Sequence, residues 1–182
     1  MQTPTLHTAR LRLEPIGLHH AADLQPRFHD PEVQRHLSAS IPDPYPDDGM
    51  HWFLEHILLP AVRAERAMGW ALVLKATGTA VGVLTWRRAA SAEGDRGFWL
   101  ARAQWGQGLM TEALEAFQDF VFFDVGIARL ELRSSIDNHA SARLKEKMGC
   151  VKLGEADADL REGDRVDVWE LTRDRWAALR GR

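Results

Sequence analysis

Hydrophobic and polar positions alternate along the chain in two periods, with clear punctuation between them. "LRLEP", residues 11 to 15, has the period of a short strand that Pro15 ends, and residues 18 to 28 then read as a helix. Residues 38 to 48, "SASIPDPYPDD", hold three prolines and exclude a regular element, whereas "GMHWFLEHILLPAVRAER" is helical with Trp52 and Phe53 near its start. The proline-spaced segment is open to two readings, a lid or substrate wall and an ordinary surface connection. "WALVLK" (70 to 75), a Thr77-Gly78 turn and "AVGVLTW" (80 to 86) form a hairpin pattern, and "GFWLA" (97 to 101) reads as a third strand beyond a polar loop.

A long helix follows Gly108. Leu109, Ala113, Ala116, Phe117, Phe120 and Val121 recur in it at three- and four-residue spacing, so one stripe is expected to be buried on the sheet. "ARLELRSSI" (128 to 136) is a strand with Leu130 and Leu132 on one face, "NHASARLKEKMG" (138 to 149) a helix, and "VKLGE" with "VDVWEL" a closing hairpin. The fold class is therefore α/β (α+β): a mixed, mostly antiparallel sheet of about seven strands flanked by helices, with one strand–helix–strand unit over 97 to 136.

Composition narrows the function. A chain of 182 residues with 45% apolar content suits one folded domain, residues 1–182. The formal charge of −3, with acids and bases interleaved, argues against nucleic acid as a partner and for a small molecule or a protein. One cysteine excludes an intrachain disulfide, and Cys150 reads as a small core side chain. The eight histidines show no metal-binding spacing, so no metal is expected. The start lacks a signal-peptide pattern and no run of eighteen apolar residues occurs, so a soluble cytoplasmic protein without a membrane partner is expected.

The glycines carry the first chemical signal. Gly106 and Gly108 stand directly before the long helix, and residues 103 to 111 contain no carboxylate. Unpaired N–H groups of a first helical turn, with a glycine loop that lets a ligand approach the backbone, make an anion site backed by the helix dipole. A diphosphate fits such a site; a tight strand-to-helix turn that binds nothing is the other reading. The residue three after Gly108 is Thr111, which excludes a dinucleotide fingerprint, and no lysine follows to make a P-loop.

The second helix carries the other signal. Asp137 or Asn138 caps it and Gly149 closes it. Ala140, Leu144 and Met148 define its expected buried stripe, and Ser141 lies on or beside the same face. Without a Gly-x-Ser-x-Gly elbow, and with His139 too close to serve as a triad base, Ser141 is either a capping residue or a proton donor rather than a nucleophile.

"WGQGLMTEAL", followed about twenty-five residues later by "NHASARLKEKMG", resembles the acetyl-CoA-binding signature of the GNAT superfamily of N-acyltransferases, specifically its RimJ/RimL-type branch. The likeness extends to "TARLRLEP" at the start and "VDVWEL" at the end. It implies a GNAT-like sheet with a splayed central strand pair, and coenzyme A as the cofactor. The family's pyrophosphate loop, Arg/Gln-x-x-Gly-x-Gly/Ala, falls on Trp105, Gly106, Gln107, Gly108, Leu109 and Met110, with Thr111 continuing the helix. Trp105 is usual for this branch; Met110 replaces a small residue. The resemblance further implies that the backbone of Leu100 to Arg102 pairs with the pantetheine arm, placing the thioester between strands 97 to 101 and 128 to 136. Asn138 matches an asparagine that hydrogen-bonds near the pantetheine, and Ser141 matches the serine near the thioester sulfur. Arg143 or Lys145 is a candidate for a phosphate contact, against the reading of a solvated helix face.

The implied reaction is direct attack of a neutral amine on the thioester, a backbone N–H polarising the carbonyl and Ser141 protonating the thiolate. Asp95 is the first candidate for the base, ahead of Glu93 and Glu131. The acceptor is a primary amine, either a protein N-terminal α-amine or a small molecule, and a homodimer is compatible with the likeness. A non-catalytic acyl-CoA-binding sensor or regulatory module is the alternative.

Overall fold

Alternation over residues 11 to 15 produces strand β2 (Leu11–Pro15), with Leu11 and Leu13 fully buried and Arg12 and Glu14 facing outward. The chain is described here by a computed structural model covering residues 2–88, 94–160 and 163–182. It divides into two units: residues 1–34, 42–87 and 97–116 form the first, and residues 35–41, 88–96 and 117–182 the second.

In the first unit β2 pairs antiparallel with the two-residue β1 (Leu6–His7) and with β3 (Ala67–Leu74), and β3 pairs antiparallel with β4 (Ala80–Arg88). β1 is the strand that raises the total above the seven read from the sequence. Seven successive positions of β3 are buried, the pattern of a strand covered on both faces rather than one. β5 (Gly94–Leu100) follows β4 in the strand order, and Ala101 N–H donates to Val81 O at 2.8 Å. A Cβ at Gly82 would lie 2.5 Å from the Trp99 carbonyl oxygen, so glycine is required where these two strands approach.

A 3-10 turn (Leu18–His20) leads into α1 (Ala21–Phe28), which buries Leu24 and Phe28; α2 (Pro31–Gln34) is one short turn. The helix expected over 49 to 66 is interrupted: α3 (Gly49–Phe53) passes through a π-helical turn (Leu54–Leu58) into α4 (Leu59–Arg63). Pro60 has no N–H to donate back and its ring crowds the preceding turn, and the widened turn beside it accommodates both. The Tyr45 end of the proline-rich segment is packed, its ring 4.8 Å from that of Phe28 in an edge-on contact.

In the second unit β6 (Arg129–Ser135) lies between the start of β5, parallel with Gly94 opposite Leu130, and β8 (Arg165–Thr172), antiparallel with Leu132 opposite Trp169. β7 (Val151–Asp157) is the outer arm of the closing hairpin. α5 (Leu109–Asp119), whose residues up to Ala116 belong to the first unit, continues into a π-helical turn (Phe120–Asp124); its predicted stripe is buried at Leu109, Ala113, Phe117, Phe120 and Val121, while Ala116 is only half-buried. Truncating Phe117 to alanine should cost about 3–5 kcal/mol, from the lost burial of the ring together with the cavity it leaves, read as a shift in urea unfolding. α6 (His139–Lys147) and α7 (Arg173–Arg180) complete the unit, Trp176 donating its indole N–H to Asp119 at 2.9 Å. Strand positions imply a core role for Trp70, Trp86, Trp99 and Trp169; Trp70, Trp86 and Trp169 are core residues, whereas Trp99 is only half-buried, and Cys150 is buried. Among the described residues no helix is long and apolar enough to cross a membrane.

The start of α1 contains a titratable constraint. Gly17 N–H donates to His20 Nδ1 at 3.1 Å, so Nε2 carries the proton and faces Glu14 Oε2 at 3.5 Å. Burial, then the adjacent His19, holds His20 below the ordinary histidine value of 6.5 against the opposing pull of Glu14. The unfolded chain thus binds a proton that the folded chain does not, and stability is full above pH 6.5 and falls as the pH drops through the folded value. Urea unfolding at a series of pH values between 7.5 and about 5 should show this loss in the wild type and a flatter profile in His20→Asn, which keeps an acceptor for Gly17.

Candidate active site

The loop between β5 and α5 is held from below. A 3-10 turn (Arg102–Gln104) follows Ala101, with Gln104 N–H on Ala101 O and Trp105 N–H on Arg102 O. The Trp105 indole folds back and donates to Leu100 O at 2.7 Å, while its ring stays 46% exposed. Of the backbone groups assigned to a pantetheine arm, Ala101 N–H is therefore committed to Val81, and Leu100 O already accepts from Trp105. Arg102 is exposed, 3.8 Å from Asp30.

Gly106 and Gly108 both adopt positive φ, 72° and 75°. Nothing lies within 4 Å of where a Cβ of Gly106 would stand, and Gly108 meets only the tip of Arg10. The loop is open to solvent from Trp105 to Gly108, Leu109 is buried as the anchor of α5, and Met110 and Thr111 are half-buried. Gly108 O accepts from Glu112 N–H, so the helix begins directly at the second glycine. This is a cradle of backbone with the positive end of a helix behind it.

Glu112, the first carboxylate of α5, turns away from that cradle. Its Oε1 accepts from Thr8 Oγ1 and from Arg10 N–H at 2.6 Å, and its Oε2 from Arg10 Nε at 2.7 Å. Arg10 Nη1 also donates to Gln107 O at 2.9 Å. Burial raises the carboxyl, but the bonds from Thr8 and Arg10 outweigh it and leave Glu112 below its ordinary 4.5. The negative charge in the first turn of α5 is thus balanced by a guanidinium that also fastens the loop. The sequence offered no direct sign of this network, since its partners lie about a hundred residues apart.

On α6 the cap is Asn138, whose side-chain oxygen accepts from Ser141 N–H at 3.0 Å. The expected buried stripe is wrong: Ala140 is exposed and Leu144 only half-buried, while Lys145 is 2% and Met148 1% exposed. The helix is rotated from the predicted face, and Lys145 Nζ donates to Ser141 Oγ at 2.7 Å. Lys145 is therefore neither on a solvated face nor displayed for a phosphate; Arg143 is exposed. The four-residue spacing of Ser141 and Lys145 was the available signal for their contact.

Of the base candidates, Glu93 and the side chain of Asp95 lie outside the described residues; the Asp95 backbone belongs to β5. Glu131 is half-buried and paired with Arg133 at 2.9 Å. Burial pushes the Cys150 thiol above its ordinary 9.0, against the pull of Arg96, Lys145 and Arg175, which disfavours a thiolate nucleophile. Ligand atoms of Glu14, His19 and His20 come within 4.8 Å of one another. His20 would have to give up its Nε2 proton to a metal while Nδ1 already accepts from Gly17, whereas a metal-bound histidine normally donates from its other ring nitrogen.

Residues 10–151 match the model of the acetyltransferase (GNAT) domain family. The chain is 24% identical over 168 residues to an uncharacterised N-acetyltransferase, p20, of Bacillus licheniformis, covering 91% of this chain and 93% of that one. Its fold is similar to that of Mycobacterium smegmatis RimJ in complex with CoA-disulfide, with a TM-score of 0.83 at 18% identity over 100% of this chain and 98% of the other. It is also similar to the ribosomal-protein-S5-alanine acetyltransferase of Vibrio fischeri, with a TM-score of 0.79 at 18% identity over 95% and 98% of the two chains.

Replacing Glu112 by glutamine removes the charge that Arg10 balances and breaks at least one of its charge-assisted bonds. Urea unfolding should show a loss of about 1–3 kcal/mol, and Thr8→Val, which removes only the hydroxyl, a smaller one of about 1 kcal/mol.

Proposed function

The chain belongs to the GNAT acetyltransferase family, and from that premise we propose that residues 1–182 work as one catalytic domain that moves an acetyl group from acetyl-CoA to a primary amine by direct attack in a ternary complex. It is an acetyltransferase whose acyl donor is acetyl-CoA. The bound donor supplies an activated acyl carbon and a thiol leaving group.

The observation that carries the reading is the glycine cradle with its neutralised first turn. Gly106 and Gly108 leave the space of two side chains open at a helix start, and Arg10 balances Glu112 beside it. In the proposal, backbone N–H groups of Gly106 to Thr111 receive the pyrophosphate, with Trp105 and Gln107 shaping the loop and Leu109 and Met110 anchoring it. Arg102 and Arg143, both exposed cations, stand for phosphate or pantetheine contacts. The Asn138 oxygen is committed to the cap, which leaves its Nδ2 donors for the pantetheine. Leu100 contributes backbone to the same arm.

Ser141 gives its hydroxyl proton to the leaving sulfur, and Asp95 takes the proton of the incoming ammonium so that a neutral amine attacks. The acceptor is a protein N-terminal α-amine or a small-molecule amine. RimJ- and S5-alanine-acetyltransferase-like folds among the neighbours favour testing N-terminal peptides first.

Release of free thiol from acetyl-CoA, measured against a panel of N-terminal peptides and small amines, tests the reading. Acceptor-dependent turnover is expected, falling about a hundredfold in Ser141→Ala with CoA affinity by calorimetry retained. Gly106→Asp, which tolerates positive φ but places a carboxylate in the cradle, should weaken CoA binding by about tenfold or more. CoA binding without turnover on the whole panel would refute the catalytic assignment.

A further inference from the structure

A lysine that is 2% exposed on a nine-residue polar helix calls for a partner, and Lys145 reaches Ser141 Oγ at 2.7 Å. An ammonium has three N–H donors and no lone pair, so the serine oxygen is the acceptor in this bond. The hydroxyl hydrogen is thereby turned away from Lys145. The serine N–H is committed in the other direction, to Asn138, so the residue is fixed at both its backbone and its side chain. A serine acting only as a helix-start residue needs no buried cation on its oxygen, and an apolar side chain at 145 would fill the stripe beside Met148 without desolvating a charge.

We propose that Lys145 is a positioning residue for Ser141, holding its O–H in the donating direction and balancing charge on Oγ during the reaction; this rests on the reading of Ser141 as the proton donor. As the C–N bond forms and the C–S bond breaks, the Oγ–H bond breaks and an S–H bond forms on the leaving thiol. The negative charge then on Oγ faces the Lys145 ammonium. The proton released by the acceptor nitrogen returns to Oγ through water, so the dyad is restored and no co-reactant is needed. The interaction grows as charge develops on Oγ, which is the condition for it to act on kcat rather than on binding.

The test is a double-mutant cycle on kcat at saturating amine, with Ser141→Ala, Lys145→Met, Lys145→Gln and the corresponding double variants, alongside CoA affinity by calorimetry and thermal melts. Lys145→Met should lower kcat about tenfold or more with KM and CoA affinity unchanged, and should cost nothing further once Ser141 is alanine. Lys145→Gln, which retains an N–H donor without the charge, should fall between. Equal losses in both backgrounds would overturn the inference and leave Ser141 as donor; no loss in Ser141→Ala would instead remove the donor reading itself. If both Lys145 variants lose the folded state or CoA binding, Lys145 is a structural residue and the inference fails.

Discussion

The pairing of Glu112 with Thr8 and Arg10 governs what the start of α5 offers to a ligand. A carboxylate in a first helical turn is ordinarily favourable because it satisfies the helix dipole, and for that reason it competes with any bound anion. Here the carboxylate accepts three hydrogen bonds from a segment at the beginning of the chain and is balanced by a guanidinium. The same guanidinium donates to the Gln107 carbonyl, which leaves the loop's carbonyl facing protein and its glycines facing outward. The contacts that tie Arg10 to α5 are thus also those that fix the glycine loop.

A comparable economy appears on α6. Asn138 caps the helix through Ser141 N–H, and Lys145 one turn further on secures the same residue through Oγ. Helix capping contributes to stability by about 1 kcal/mol and would be served by any small polar residue at 138. A buried ammonium on a serine oxygen is different in kind, since its desolvation is unfavourable to folding and its benefit appears where charge moves. The first interaction explains why the helix starts where it does, and the second why its inward face is not uniformly apolar.

Much of this was legible in the sequence. Alternation and short apolar or β-branched runs located β2 through β8, periodicity located α5 and most of its buried stripe, and the two glycines with an absence of acid before Glu112 marked the cradle. The failures have physical reasons. Periodicity scores lysine as solvent-facing, so the stripe of α6 was drawn through Ala140 and Leu144 when the true one passes through Lys145 and Met148. The π-helical turns at Leu54–Leu58 and Phe120–Asp124 change the register of a helix without changing its composition. β1 is two residues long and exists because β2 offers it an edge, information that lies in the pairing and not in the residues. Glu112 and Arg10 illustrate the general limit: each looked ordinary alone, and their meaning depends on a contact across 102 positions.

The fold of Trp105 over its own loop has a spectroscopic consequence. Of the seven tryptophans, Trp70, Trp86, Trp169 and Trp176 are buried and Trp99 is half-buried, whereas Trp52 and Trp105 stand about half exposed. Trp105 alone of these two belongs to the glycine cradle, with its indole nitrogen fastened to Leu100 and its ring in water beside Gly106. The molecule therefore carries its own fluorophore on the glycine loop. With Trp52 and Trp99 replaced by phenylalanine, emission at the red edge and its quenching by acrylamide would come predominantly from Trp105 and would report the state of the loop without any attached dye.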